Sequence, residues 1–266
     1  MRDYLLEIAC NADEEDDVLA RLFLTASTGS TSANGVITAY FDSAEERDAA
    51  LSVLEGLDVQ PAERERLNWL DMYQQSLKPL FIGERFVVAP DATLIPDGGR
   101  IALVVPQEQA FGTGSHETTS LCLELLETMP VKRGLDVGAG SGILALAMIE
   151  LGAEKAIAFD NDPDAYGALR DNRLRNQIDE ARMPIFIGTT DALRGGSFDV
   201  ITMNIIPEVI IPILGAVKAR MSGALIVSGV LTVRRDDVVA AAREHGLELR
   251  DERTKSEWWA GVFTVE

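Results

Sequence analysis

The sequence predicts an α/β fold, a doubly wound and mostly parallel sheet preceded by a small α+β domain. Three observations carry that expectation. Gly134-Leu-Asp-Val-Gly-Ala-Gly-Ser-Gly142 joins a short apolar strand to an apolar helix through alternating glycines. Lys155 to Asp160 is a second apolar strand, ending in a carboxylate and followed by another helix. Strands and helices then alternate to the C-terminus, the pattern of a parallel sheet covered on both faces.

At 266 residues and 47% hydrophobic, the chain has material for one large domain and one small one. The expected division is a recognition domain over 1–60, a linker helix over 61–79 and the sheet domain over 80–266. Val209 to Val217, the most apolar run, contains Pro212 and is too short to span a bilayer. Glu7 and the acidic run from Asp13 to Asp17 are wrong for a secretory or transit peptide. Cys10 and Cys122 lack metal-ligand spacing and read as reduced thiols of a cytoplasmic protein, so no metal site is expected. The net charge of −19 argues against a phosphate-binding surface, hence against a direct nucleic acid partner, and favours cationic partners. A diffuse negative surface that serves only solubility is the alternative.

In the first domain, Tyr4 to Cys10 reads as a strand and Glu14 to Ala26 as a helix with Val18, Leu19, Leu22 and Phe23 on one face. Ser27 to Gly35 breaks the pattern, Val36 to Phe41 alternates as a strand, and Ser43 with Glu46 forms a capping box for a second helix. Ala62 to Gln75 reads as the linking helix, carrying Trp69, Met72 and Tyr73 and ended by Lys78-Pro79. Two apolar strands follow, Phe86 to Ala89 and Ile101 to Val105.

Ala110-Phe-Gly-Thr-Gly-Ser-His-Glu-Thr-Thr119 is dense in chemistry for a short stretch and precedes a helix rich in leucine. Phe111 can cover an apolar cofactor edge, and Thr113 and Thr119 carry hydroxyls that can bond a carboxylate or a helix N-terminus. Thr118 or Thr119 would equally serve as a helix cap. His116 is more often structural than catalytic in such a place and stays a secondary candidate.

Glycine at 138, 140 and 142 allows both a sharp turn and close approach of a ligand to the main chain, because no Cβ intervenes. The dinucleotide pattern GxGxxG would require glycine where Ile143 stands, and Asp136 puts an ionisable group into a strand end that is usually apolar; both disfavour NAD. Asp160, twenty residues past Gly140, is placed to accept the two hydroxyls of a ribose, with Asn161 beside it. Asp162 reads as the cap of the next helix, with Pro163 at its first position. Pro184 to Gly188 is the third strand, after which Asp191 can bond an adenine amine or cap a short turn. Phe198 to Asn204 is the fourth, and an amide at its end can accept bonds from an amine nucleophile; the bland alternative is a turn former before Pro207. A helix from Pro207 to Met221, a strand at Ala224 to Ser228, a helix from Arg234 to His245 and an antiparallel edge hairpin, Leu247 to Arg250 with Trp258 to Val265, complete the sheet. Trp258 and Trp259 read as packing.

Together these motifs resemble the bacterial methyltransferases that modify large-subunit ribosomal protein eleven, from about Leu67 onward. The resemblance rests on Leu77-Lys78-Pro79-Leu80, Ile82-Gly83-Glu84-Arg85, Phe111-Gly-Thr-Gly with His116 and Thr118-Thr119, and Leu135-Asp-Val-Gly-Ala-Gly-Ser-Gly-Ile-Leu-Ala145. Asp160-Asn-Asp-Pro163, Asn204-Ile205, Ser228-Gly-Val-Leu231 and Glu257-Trp258 extend it. It implies a seven-stranded class I methyltransferase sheet that binds S-adenosylmethionine, with Thr119, Gly138, Asp160 and Asn204 at cofactor positions. Phe111, Thr113, Asp136, Gly140, Asn161 and Asp191 join them as cofactor candidates, and Asn204 is the candidate catalytic residue. The implied reaction is methylation of lysine ε-amines, and of an N-terminal α-amine, on that ribosomal protein. Ala139, Met203 and Pro207-Glu208 depart from the family pattern, and the first sixty residues match least. The same chemistry on another lysine-bearing protein or a small amine, and a cofactor-binding docking protein without turnover, are the competing expectations.

Overall fold

The computed structural model describes residues 2–11, 14–33, 35–65, 78–106 and 116–265, in two units, Met1–Ser76 and Leu77–Glu266. The first unit is an antiparallel sheet of β1 (Arg2–Ala9), β2 (Gly29–Ala33), β3 (Val36–Phe41) and β4 (Asp58–Glu65), in the order β2-β3-β1-β4. Alternation puts Leu6 and Ile8 of β1 and Ile37, Ala39 and Phe41 of β3 into one core with Val18 and Leu22 of helix α1 (Glu15–Leu22) and Ala50 of α2 (Ala44–Ala50). The Ser43 hydroxyl accepts from the Glu46 N–H at 3.2 Å and so starts α2.

Two expectations fail in this unit. The segment Ser27 to Gly35 is not a break, because Gly29–Ala33 pairs with β3 from Gly29↔Tyr40 to Ala33↔Val36. Its residues are all exposed, so this edge strand leaves no hydrophobic alternation to read. Ala62 to Glu65, expected to open the linker helix, belongs to β4 and pairs with β1 from Arg2↔Glu65 to Leu5↔Ala62. Pro61 is tolerated there because β4 lies at the sheet edge. The rest of the expected helix, with Trp69, Met72 and Tyr73, lies outside the described residues.

In the second unit, β5 (Leu80–Ile82), β6 (Phe86–Ala89) and β7 (Ile101–Val104) form a small sheet. The main sheet has seven strands: β8 (Arg133–Val137), β9 (Lys155–Asp160), β10 (Ile185–Ile187), β11 (Phe198–Asn204), β12 (Met221–Leu231), β13 (Leu247–Lys255) and β14 (Trp258–Val265). Their order is β10-β9-β8-β11-β12-β14-β13, parallel except for β14, which runs antiparallel between β12 and β13. Helices α3 (Glu117–Leu126), α4 (Ile143–Glu150) and α5 (Ala165–Arg175) bury Leu121, Leu123, Ile143, Leu146 and Leu169 in one core. Helices α6 (Pro207–Lys218) and α7 (Arg235–Glu244) bury Ile210, Leu214, Val238 and Ala242 in the other, so the sheet is covered on both faces. Among the described residues no helix is long and apolar enough to cross a membrane.

Candidate functional site

The chain runs β8, β9, β10 outward and then returns to place β11 on the other side of β8. Such a reversal opens a crevice at the carboxyl ends of the two central strands. A cavity of about 370 Å³ lies there, lined by Gly138 after β8, Asp160 and Asn161 at the end of β9, and Asn204 at the end of β11. The three strand ends singled out in the sequence therefore share one cavity.

Glycine 138 has φ +68, and a Cβ built on it would lie 2.4 Å from Ile205 Cγ2. Only glycine allows Ile205 to pack this closely on the turn while its backbone lines the cavity. Its N–H and that of Ala139 both donate to the Phe159 carbonyl at 3.0 Å, which sets the turn against β9. The Gly140 N–H donates to Asp160 Oδ2 at 2.8 Å, and the Asp162 N–H donates to Oδ1 at 3.0 Å. Gly140 thus acts by aiming the Asp160 carboxylate, and it does not line the cavity itself. Each carboxylate oxygen keeps a further lone pair for a hydroxyl.

Asn204 is 9% exposed. Its Nδ2 donates to Thr119 Oγ1 at 3.3 Å, whereas its Oδ1 is buried with no partner among the described residues. A buried acceptor left unpaired costs about 1–3 kcal/mol, so a cavity-lining carboxamide in this state is available to a donor beyond the described residues. Thr119 stands behind Asn204 and does not itself line the cavity.

Asp136 does not face the cavity. It is 1% exposed beneath the glycine turn, where Oδ1 accepts from Thr202 Oγ1 at 2.7 Å and Oδ2 from the Ala145 N–H at 3.2 Å. Burial pushes its pKa up to about 7, against these two bonds, which pull it down. Asp136 therefore ties β8 to β11 and to α4. Asp191 is exposed in a short 3₁₀ turn, and the cavity takes Gly188, Thr189 and Thr190 from this stretch instead. Phe111 and Thr113 lie outside the described residues.

Two capping expectations are corrected. His116 itself caps α3, with Nδ1 accepting from the Thr118 N–H at 3.4 Å, and its ring meets Trp258 edge-on at 4.9 Å. Asp162 does not cap α5, because its Oδ1 accepts from the Asp164 N–H in the turn before a helix that starts at Ala165. The sequence reading missed the apolar wall, Ile206, Val209 and Ile213, although a spacing of three and four residues at the start of α6 already marks them as one face. No group of three His, Cys, Asp or Glu side chains among the described residues is placed to hold a metal.

Comparison with known proteins agrees with this architecture. A family model described as "Ribosomal protein L11 methyltransferase (PrmA)" matches residues 6–265. A ribosomal protein L11 methyltransferase of Pelobacter propionicus is 35% identical over 260 residues, covering 87% of this chain and 82% of the relative. One from Synechococcus elongatus is 38% identical over 202 residues, covering 72% and 67%. The crystal structure of ribosomal protein L11 methylase from Lactobacillus delbrueckii subsp. bulgaricus superposes with a TM-score of 0.65 at 23% identity, over 71% of this chain and 99% of that one, and shares the fold. A match that runs from β1 to the last strand, on top of a sheet ordered in this way, means that the chain belongs to the ribosomal protein L11 methyltransferase family.

Proposed function

We propose that this chain transfers a methyl group from S-adenosylmethionine to amines of ribosomal protein L11, lysine ε-amines foremost. The single observation that carries the reading is the convergence of Gly138, Asp160 and the unpaired Asn204 Oδ1 on one cavity at the switch point of the sheet. The residues fit the cofactor: the glycine turn, which reaches the cavity at Gly138, suits its amino-acid tail, and the Asp160 carboxylate suits a ribose diol. The apolar wall of Phe159, Ile206 and Val209 suits an adenine ring. When bound, S-adenosylmethionine supplies an electrophilic methyl on a sulfonium.

The protein must then align an amine and keep it neutral. With an ordinary pKa near 10.4, a lysine is neutral at pH 7 about once in 2,500, a cost of roughly 4.6 kcal/mol. A poorly solvated cavity lowers that cost by disfavouring the ammonium form. Asn204 Oδ1 accepts one N–H of the amine and so fixes the direction of its lone pair, while Thr119 holds the carboxamide by its Nδ2. Among the described residues that line the cavity, Asp160 is the one carboxylate and is given to the ribose, so the proton leaves to water.

The acceptor assignment rests on what the relatives are called and on charge. The first 76 residues carry sixteen acidic and five basic side chains, a surface suited to a basic protein, and this unit is the proposed acceptor-holding domain. Such an enzyme works in the cytoplasm, and both cysteines are free. The test is transfer of a labelled methyl group to L11 purified from cells that lack the enzyme. Incorporation into L11 lysines supports the reading, while labelling confined to other proteins or small amines replaces the acceptor. Absence of transfer to any amine leaves a docking protein and overturns the reading.

A further inference from the structure

Ile205 follows Asn204 and is seated between two glycines, one just past the end of β8 and one on β12, the strands that flank β11. Its side chain covers Gly138 after β8, with Cγ2 2.4 Å from where a Cβ would be. Its backbone lies over Gly229 on β12, where a Cβ would come 2.5 Å from the Ile205 carbonyl oxygen and 2.8 Å from its N and C atoms. Gly229 has φ +78, and the segment around it is a bulge: β12 and β14 pair at Val227↔Gly261 and resume at Val230↔Trp259, so Ser228 and Gly229 stand opposite one residue. The Ser228 hydroxyl donates to the Trp259 carbonyl at 3.1 Å and fastens the bulge. Bulges of this kind re-aim neighbouring groups, and they are frequent beside active sites.

A straight β12 with a side chain at 229 would push the Asn204–Ile205 corner away from β12. Because, among the described residues, the carboxamide of Asn204 is held by Thr119 alone, displacement of the backbone moves Oδ1 directly. We propose that Gly229, with the bulge anchored by Ser228, is a positioning residue that sets where Asn204 Oδ1 meets the acceptor amine. This rests on the transfer reading given above. Nucleoside binding through Asp160 sits on β9 and is served by the Gly140 and Asp162 N–H groups, so it depends far less on the bulge.

The experiment compares Gly229→Ala with Gly152→Ala in the full chain. Gly152 also has a positive φ, +108, but nothing lies within 4 Å of its Cβ position, so this control carries the backbone strain without the collision. Four quantities are read: the stoichiometry and the affinity of S-adenosylhomocysteine by titration calorimetry, kcat at saturating acceptor, and the thermal midpoint. A displacement on the scale of an ångström costs about 100-fold in turnover. Gly229→Ala is expected to lose that much kcat while binding S-adenosylhomocysteine at one per chain, and Gly152→Ala to keep the parent kcat. Equal kcat in the two variants overturns the proposal, as does a loss of kcat in Gly229→Ala matched by an equal loss of binding stoichiometry. Should Gly229→Ala not fold, Ser228→Ala decides: loss of the anchoring bond predicts a fall in kcat of about 5- to 10-fold with binding unchanged, and an unchanged kcat overturns the proposal. A parent chain that binds no S-adenosylhomocysteine instead sinks the reading of the cavity itself, and the proposal with it.

Discussion

Replacing Asp136 by Asn tests how the glycine turn is held from beneath. Burial lifts the carboxyl from its usual 3.8 to about 7. Between those two values the folded chain binds more protons than the unfolded one, so stability falls as pH rises through that window and levels off above it. A lift of this size corresponds to about 4 kcal/mol. Asn reproduces the protonated form. Its Nδ2 can face Thr202 Oγ1, whose own hydrogen turns to the Leu135 carbonyl at 3.5 Å, while its Oδ1 accepts from the Ala145 N–H. The assay is urea unfolding of parent and variant at several pH values, read as the difference so that other titrating groups cancel. The advantage of Asp136→Asn over the parent should grow by about 3 kcal/mol between about pH 5 and pH 8. An advantage that stays constant, or shrinks with rising pH, refutes the reasoning.

The remaining predictions concern the cavity. Asn204→Ala should lower kcat by about 100- to 1,000-fold, in line with removal of one aligned polar group, while unfolding in urea shifts by only about 1 kcal/mol, because the long Nδ2–Thr119 bond is lost together with a buried Oδ1 that has no partner among the described residues; unchanged turnover would remove Asn204 from the reaction. Asp160→Asn replaces one of the two oxygens that accept the Gly140 and Asp162 N–H groups with a donor, and should weaken S-adenosylhomocysteine binding by about 1.5–3 kcal/mol, measured by calorimetry. Gly138→Ala puts a methyl 2.4 Å from Ile205 Cγ2, so affinity for the same ligand should fall at least about tenfold; parent-like affinity would mean that the ligand does not approach this turn.

How legible each part was depends on whether its signal is local. The strand–glycine–helix unit at 134–151 and the strand ending in Asp160 read correctly because apolar runs and special backbone needs are written residue by residue. The antiparallel pair β13–β14 also appeared where alternation placed it. Strand β2 escaped because all its side chains are exposed, and β4 was taken partly for helix because an edge strand reading Pro-Ala-Glu-Arg-Glu carries no alternation. In the site, Asp160 and Asn204 were legible from their strand-end positions. Asp136 was not, since whether a polar residue at the end of a buried strand faces a ligand or a neighbouring strand depends on register, here Thr202↔Asp136. The seating of Ile205 between Gly138 and Gly229 joins residues distant in sequence and has no local signature at all.

The central claim is that the carboxyl ends of β8, β9 and β11 form an adenosyl site specific for a sulfonium cofactor and its product. Titration calorimetry of the full chain with S-adenosylhomocysteine and, separately, with NAD measures this most directly. The account predicts one S-adenosylhomocysteine bound per chain, with affinity lowered by about 1.5–3 kcal/mol in Asp160→Asn, and no heat with NAD. Binding of NAD at the same site, or of neither ligand, would contradict it.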